Sequence, residues 1–226
     1  MTRHAAPCGR RQAEQPGRRE PHGSARQLLP ARLGRGDVDH ERHAAQAQQA
    51  MDLVIRPAVE ATGFAGFLYA GLMMTAAGPK VLEFNVRMGD PETQPLMHRL
   101  RSDWGEVLLA AATPGGLAGM QLQWAPDPSV CVVMAASGYP ATPRTGDRIT
   151  GIDACSALPG APVVFQAGTK LADGNLVTSG GRVLGVTASG PDLKTAIANA
   201  YAAVGKIHFE GAHWRRDIGA KGLKRW

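Results

Sequence analysis

A change in composition near residue 46 divides this 226-residue chain into two parts that differ in their capacity to fold. Residues 1–45 consist mainly of Arg, Ala, Gly, Pro, Gln and His, and they contain almost no Val, Ile or Phe. Such a segment cannot bury enough apolar surface to offset the conformational entropy that is lost on folding. We therefore expect residues 1–45 to be a disordered basic segment, and the fold to be built from the residues that follow.

The positive charge of the chain is concentrated in the same segment. Residues 1–45 carry nine arginines and five acidic residues, whereas the rest of the chain carries 16 basic and 14 acidic residues. Because the folding part is close to neutral, we expect no nucleic-acid partner. Its apolar runs are too short to span a bilayer, so no membrane partner is expected either. Three widely spaced cysteines, Cys8, Cys131 and Cys155, are typical of reduced thiols in a cytoplasmic protein.

The first half of the folding part alternates between helical and strand-like patterns. Apolar residues at helical spacing predict two helices, and two β-capable runs around a turn predict an antiparallel hairpin between them. In chain order the predicted elements are a helix over 46–61 that ends at Thr62 and Gly63, strands over 66–75 and 81–87 around a turn at 76–80, and a helix over 96–112. A polar, proline-containing connection at residues 118–128 predicts a domain boundary.

Short strands separated by turn residues predominate in the second half. They are predicted over residues 130–137, 147–152, 162–170, 175–180 and 181–190. One helix is predicted to follow, with Ser189 as its cap and an apolar stripe that begins at Leu193. The basic residues 211–226 are expected to fray. These patterns predict an α+β fold with one domain at residues 46–127 and a small, β-rich domain at residues 128–226.

One predicted strand carries an unusual polar face. Side chains alternate between the two faces of a strand, so one face of residues 81–87 is apolar and the other carries an acid, an amide and a guanidinium. The polar face consists of Glu83, Asn85 and Arg87, and the apolar face of Leu82, Phe84 and Val86. A carboxylate beside an amide offers the hard oxygen ligands that Mg²⁺ prefers, and a guanidinium can hold an anionic oxygen. The alternative is a solvated polar face on a half-buried hairpin.

Several motifs together resemble one enzyme family. Residues 66–111, which include "VLEFNVRMGDPETQ", resemble phosphoribosylamine–glycine ligase, the glycinamide ribonucleotide synthetase of purine biosynthesis. The segments "VVMAASGYP", "RTGD", "FQAGTK" and "VTSGGRVLGVTASG" follow in the order and spacing of its C-terminal domain, and "WRRDIG" resembles its terminal segment. The resemblance covers about residues 46–222. It implies the C-terminal part of an ATP-grasp domain followed by the C-terminal domain of the synthetase.

The resemblance implies an activity and a set of site residues. The activity is ATP-dependent ligation of glycine to 5-phosphoribosylamine, which gives glycinamide ribonucleotide, ADP and phosphate. The implied partners are therefore small-molecule substrates, with ATP as co-substrate and Mg²⁺ or Mn²⁺ as the metal. Glu83 and Asn85 are the implied metal ligands, and Arg87 is the implied catalytic residue. The implied substrate-binding residues are Asp90, Glu92, Thr169, Lys170, Gly180, Gly181 and Arg182.

The residues themselves leave some of these roles open. Backbone N–H groups of Gly180 and Gly181, together with Arg182, could hold a ribose phosphate, or the two glycines could form a plain hairpin turn. Thr169 and Lys170 could contact substrate, or Lys170 could be a solvated strand end. The family also usually has Phe where Met88 stands and His where Gln166 stands.

The resemblance finally bears on the extent of the chain. The nucleotide-binding segments of the family precede the region that matches, so we expect a truncated form that is inactive alone. The alternatives are a non-catalytic remnant, a subunit that works with a complementing chain, or another ATP-grasp carboxylate–amine ligase. Residues 1–45 could also be an out-of-frame translation of the preceding segment, because shifted codons for residues 27–30 can encode Ser-Tyr-Ser, which resembles the family.

Overall fold

The computed structural model describes residues 45–46, 48–75 and 77–223. The predictions made for residues 1–44, which concern disorder and a shifted reading frame, lie outside the described residues. Within the described residues, no helix combines the length and the apolar character that crossing a membrane requires. The α+β fold is confirmed, because the described ranges contain helices and three small antiparallel sheets.

The first predicted helix is present, but one of its turns is wider than an α-helical turn. A π-helical turn spans Met51–Ile55, and helix α1 follows over Arg56–Thr62. Pro57, at the start of α1, has no N–H to donate to the carbonyl four residues back, and the preceding N–H donates to the carbonyl five residues back. Gly63 ends the helix in the left-handed conformation, with φ 61°.

The predicted hairpin is confirmed, although its turn is shorter than expected. Strand β1 (Tyr69–Thr75) pairs antiparallel with β2 (Gly78–Asn85), so the second strand begins inside the predicted turn at 76–80. The register shifts between Gly71, which faces Glu83, and the next residue of β1, which faces Val81. Leu82 is thus the additional residue of a β-bulge in β2.

The apolar face of β2 is exposed rather than packed. The side chains of Leu82, Phe84 and Val86 are 64%, 41% and 72% exposed. The hairpin therefore holds its shape through its own cross-strand pairs and adds little to the buried core of the described residues. The apolar side chains of this face are thus at least as accessible to solvent as the polar ones, since Asn85 is half-buried.

The single helix predicted over residues 96–112 is wrong, because the structure has two. Helix α2 spans Thr93–Arg99 and helix α3 spans Trp104–Ala112. Leu100 lies between them in an extended conformation and pairs with Trp124 as an isolated bridge. Asp103 then caps α3, since its carboxylate accepts a hydrogen bond from the N–H of Glu106 at 2.9 Å.

The C-terminal part contains a three-stranded sheet and a second hairpin. The sheet is antiparallel with the order β3-β7-β4, and the hairpin pairs β5 with β6. The strands are β3 (Ser129–Ala135), β4 (Val163–Gln166), β5 (Thr169–Ala172), β6 (Asn175–Thr178) and β7 (Arg182–Ser189).

Two strand predictions in this part need correction. The predicted strand over 162–170 is divided between β4 and β5, because the backbone at Gly168 turns back to donate to Arg182 O at 2.8 Å. The predicted strand over 147–152 forms only isolated bridges, from Arg148 to Val177 and from Thr150 to His208. Successive residues of this segment pair with two different neighbouring segments, so no continuous ladder of hydrogen bonds forms with either one.

A helix covers each face of the three-stranded sheet. Helix α4 (Leu193–Val204) packs its buried alanines against the face that carries Val132 and Val186. On the opposite face a Cβ on Gly185 would lie 3.5 Å from Cγ of Gln94, so the first turn of α2 covers that side. Phe209 has the largest fully buried side chain among the residues that the structure describes, and it joins the same core.

The start and the surroundings of α4 differ from the predictions. Asp192, not Ser189, caps the helix, because its carboxylate accepts from the N–H of Thr195 at 2.7 Å. The expected fraying after residue 211 is wrong up to residue 223. Tyr201 Oη donates to the carbonyl of Arg215 at 2.7 Å and accepts from the N–H of Ile218 at 3.1 Å. A short helix, α5 (Ala220–Leu223), follows.

Candidate functional site

The polar face of β2 supplies the first part of the candidate site. Glu83 is exposed, Asn85 is half-buried, and Arg87 follows just beyond the end of the strand. Because the bulge at Leu82 precedes Glu83, Glu83 and Asn85 keep the same-face spacing that the sequence predicts. Arg87 donates from Nη1 to the neighbouring carbonyl of Met88 at 2.9 Å.

Tyr69 belongs to this site, although sequence reasoning did not identify it. It lies directly opposite Asn85 in the hairpin register, and its hydroxyl donates to Oε1 of Glu92 at 3.2 Å. Burial raises the pKa of Tyr69, and the negative charges of Glu92 and Glu83 raise it further, while Arg87 lowers it. The phenol therefore stays protonated near neutral pH. The sequence feature that could have identified Tyr69 is its position in the predicted hairpin, where it lies across from the predicted metal ligand Asn85.

The loop at residues 89–92 is held tightly between β2 and α2. A Cβ on Gly89 would lie 2.4 Å from Oε2 of Glu92 and 2.9 Å from the Tyr69 ring, so any other residue at this position would displace the Glu92 carboxylate or the Tyr69 ring. The carbonyl of Gly89 accepts from both the N–H and the hydroxyl of Thr93. Glu92 is thereby placed beside Tyr69 and close to the polar face of β2.

Asp90 connects this loop to the C-terminal sheet. Arg182, the first residue of β7, donates from Nη1 to the backbone carbonyl of Asp90 at 2.7 Å and lies 3.3 Å from its Oδ2. Oδ1 of Asp90 accepts from Nε2 of Gln94 at 2.9 Å. The interaction with Tyr139, followed by the charges of Asp90 and Glu92, raises the pKa of Arg182. The predicted substrate residues Asp90 and Arg182 therefore bind each other.

The predicted glycine turn packs closely against its neighbours. A Cβ on Gly181 would lie 2.3 Å from Cδ2 of the Tyr139 ring, and a Cβ on Gly168 would lie 2.7 Å from Cα of Gly180. The carbonyl of Gly181 accepts from the N–H of Ala136 at 2.9 Å. Among the described residues, the N–H groups of Gly180 and Gly181 donate no hydrogen bond, so both could bind an anion.

The remaining predicted residues lie on the β5–β6 hairpin. Thr169 donates from Oγ1 to Oε1 of Gln166 at 3.0 Å, and Lys170 is exposed opposite Val177. No hydrogen bond in the described part of the chain joins either residue to the loop at 89–92. The hydroxyl of Thr169 is occupied within its own turn, whereas the Lys170 ammonium remains accessible.

The donor set on β2 fits a hard divalent cation with few protein ligands. No group of three or more His, Cys, Asp and Glu side chains that could hold a metal ion occurs within the described ranges. Glu83 and Asn85 offer one carboxylate and one amide oxygen. Such a pair suits Mg²⁺, which usually keeps several waters and takes its other ligands from substrate phosphates.

Two family models match this chain. "Phosphoribosylglycinamide synthetase, ATP-grasp (A) domain" matches residues 40–93, and "Phosphoribosylglycinamide synthetase, C domain" matches residues 129–221. The phosphoribosylamine–glycine ligase of Rhodopirellula baltica is 51% identical over 160 residues, which are 71% of this chain and 36% of the relative. The ligase of Pseudomonas syringae pv. tomato is 48% identical over 184 residues, or 79% and 42% of the two chains. The chain thus spans about two fifths of the length of these curated relatives.

Solved structures show the same relationship. The crystal structure of phosphoribosylamine–glycine ligase from Thermotoga maritima is similar with a TM-score of 0.59 and 37% identity, over 77% of this chain and 42% of that one. The N5-carboxyaminoimidazole ribonucleotide synthetase of Thermotoga maritima is similar with a TM-score of 0.52 at 17% identity, over 77% and 44%. The second likeness shows a shared fold alone.

Proposed function

Because this chain belongs to the phosphoribosylamine–glycine ligase family, matching its C-terminal half, we propose that it supplies the metal-binding strand and the substrate-facing C-terminal domain of such a ligase. The reaction is the ATP-dependent joining of glycine to 5-phosphoribosylamine. The observation that carries the proposal is the shared face of Glu83 and Asn85, with Tyr69, Arg87 and Glu92 beside it.

The proposed chemistry proceeds through an acyl phosphate. The glycine carboxylate takes the terminal phosphoryl group of ATP, and ADP leaves. The amine of phosphoribosylamine then attacks the activated carbonyl carbon, phosphate leaves, and the nitrogen loses a proton. Glu83 and Asn85 would hold the Mg²⁺, which neutralises charge on the phosphate oxygens when bound. Arg87, exposed at the end of β2, would hold an anionic oxygen of the phosphate or the acyl phosphate.

The C-terminal residues have distinct proposed roles toward the ribose phosphate. The free N–H groups of Gly180 and Gly181 would donate to phosphate oxygens, and the accessible ammonium of Lys170 would add a positive charge. Thr169 would contribute through the turn that it holds with Gln166. Glu92, Asp90 and Arg182 would shape the pocket between this turn and β2, since Arg182 binds Asp90.

A chimera tests the proposal directly. Residues 46–222 of this chain would replace the matching region of the Rhodopirellula baltica ligase, and phosphate release would be measured with ATP, glycine and phosphoribosylamine, each omitted in turn. We expect turnover that requires all three substrates. Glu83→Gln should reduce it by about a hundredfold or more, whereas Glu60→Gln, an exposed change on α1, should not.

The outcomes separate the alternatives. A folded chimera without turnover would support a non-catalytic remnant, and turnover with a different carboxylic acid would support another carboxylate–amine ligase. The 226-residue chain, assayed alone and then with the remaining part of the Rhodopirellula baltica ligase as a separate polypeptide, tests the complementing-subunit alternative. Activity that arises only on mixing would support it.

A further inference from the structure

The contact between Arg182 and Asp90 joins two segments that lie 92 positions apart in the chain. Both side chains are partly exposed, at 43% and 50%. An ion pair in such surroundings adds little to stability, because water and salt screen it. The shorter bond is the one to the backbone carbonyl of Asp90, at 2.7 Å. Because it is made to the backbone, it holds the loop in place independently of the charge on the Asp90 side chain.

The carboxylate of Asp90 also connects Arg182 to helix α2. Its Oδ2 faces Arg182, and its Oδ1 accepts from Nε2 of Gln94. Oε1 of Gln94 is buried and has no hydrogen-bond partner in the described part of the chain, so Asp90 sets the orientation of this amide. The flipped amide would bring two oxygens together at Asp90. Gln94 in turn lies over Gly185, where the missing side chain allows α2 to approach the sheet.

Arg182 is itself held from the C-terminal side. It follows Gly181, against which the ring of Tyr139 packs so closely that a Cβ would lie 2.3 Å from Cδ2. Tyr139 also interacts with the Arg182 guanidinium and contributes to its raised pKa. The guanidinium is therefore held toward Asp90 by its hydrogen bonds, while the Tyr139 ring packs against the residue that precedes it.

We propose that Arg182 is a positioning residue that holds the loop at 89–92 beside β2, so that Glu92 stays next to Tyr69 and the Glu83–Asn85 face. It acts on the site through Asp90 and does not itself bind the metal or the phosphate. The inference rests on the proposed function for its metal site. It gives Arg182 a task that differs from direct substrate binding.

The test adds Mn²⁺ as a probe to the 226-residue chain and detects its effect by NMR. Mn²⁺ broadens the signals of nearby nuclei, so broadening around residue 83 marks the metal site and broadening in the loop at 89–92 reports the distance of the loop. Amide hydrogen exchange of Thr93, whose N–H donates to Gly89, reports opening of the loop without any metal. The variants are Arg182→Gln, Arg182→Lys and, as control, Arg215→Gln, which removes an exposed pair with Asp217 elsewhere.

In Arg182→Gln, we expect Mn²⁺ still to broaden the NMR signals around residue 83 but no longer those of the loop at 89–92. Exchange of the Thr93 amide should rise by about tenfold, as expected for a lost charge-assisted hydrogen bond. Arg182→Lys should restore part of both, and Arg215→Gln should change neither. Asp90→Asn combined with Arg182→Gln should add little to Arg182→Gln alone, because both act through one contact.

Other results would overturn the inference. Unchanged Thr93 exchange in folded Arg182→Gln would show that Arg182 does not hold the loop. Loss of broadening at residue 83 with normal loop exchange would show that Arg182 affects the metal site by a route other than the position of the loop. If Mn²⁺, added first alone and then with ATP, broadens no signal near residue 83 in the unaltered chain, the proposed metal site fails, and the exchange data alone decide whether Arg182 positions the loop.

Discussion

The hydroxyl of Tyr69 donates to Oε1 of Glu92 at 3.2 Å, from the position directly opposite Asn85 on the neighbouring strand. One side chain thus links a predicted metal ligand to a predicted substrate residue. The link depends on the protonated phenol, and the pKa of Tyr69 is raised by burial first and by Glu92 and Glu83 next.

Tyr69 should ionise at higher pH than an ordinary tyrosine, whose pKa is 10.0. The folded state holds this proton more tightly, so the stabilisation is complete below pH 10.0 and is lost as pH rises through the folded pKa. Ultraviolet absorbance can follow ionisation of the three tyrosines of the chain. Tyr69→Phe should remove a transition that lies above pH 10.0. If every transition above pH 10.0 remains in folded Tyr69→Phe, the assignment is contradicted.

Leu82→Ala should have almost no effect on stability, because Leu82 is 64% exposed. We expect a change in the free energy of unfolding within about 0.5 kcal/mol. Leu184→Ala is the matched control, since the same atoms are removed from a side chain that is 0% exposed. It should cost about 2–5 kcal/mol. Urea denaturation compares the two, and equal costs would mean that the hairpin face is covered in solution.

Gly181→Ala should destabilise the chain by about 1–3 kcal/mol, because its Cβ would overlap the Tyr139 ring. Gly205→Ala is the control, since its Cβ would meet nothing closer than 3.5 Å and its φ is −65°. That change should be neutral or slightly stabilising. Tyr139→Ala should remove most of the cost of Gly181→Ala in the double variant. A cost that persists would place the strain in the backbone instead.

Asp192 should contribute to stability as the cap of α4 in a way that depends on pH. Its pKa is lowered, mainly by the hydrogen bond from the Thr195 backbone, so the contribution is present above the ordinary value of 3.8 and is lost as pH falls through the folded pKa. Asp192→Ala should lower the melting temperature at neutral pH. Asp192→Asn should retain the cap but lose its titration. Equal melting temperatures for Asp192→Ala and the unaltered chain would refute the role.

The sequence predicts structure best where a local pattern has one usual structural meaning, such as a glycine at a helix end or alternating side chains in a strand. Gly63 ended the first helix and the alternation after residue 81 gave a strand, because backbone freedom and period-two spacing act locally. Apolar spacing continues through the break before Asp103 and so predicts one helix, whereas the Asp-x-x-Glu cap begins a new helix there. The contact of Arg182 with Asp90 depends on tertiary packing, and no local pattern encodes it.

Helix α2, apart from its first residue, lies between the two family matches, which cover residues 40–93 and 129–221, and yet it packs on the sheet of the second. Its last turn is tied there too, as His98 Nε2 lies 2.8 Å from the carbonyl of Ala161 and Nδ1 lies 3.2 Å from Ser129 Oγ. A fragment cut at residue 129 would leave Cys131, Gly185 and Thr187 facing water. A domain boundary drawn at the edge of the second family match would therefore separate α2 from the sheet that it covers.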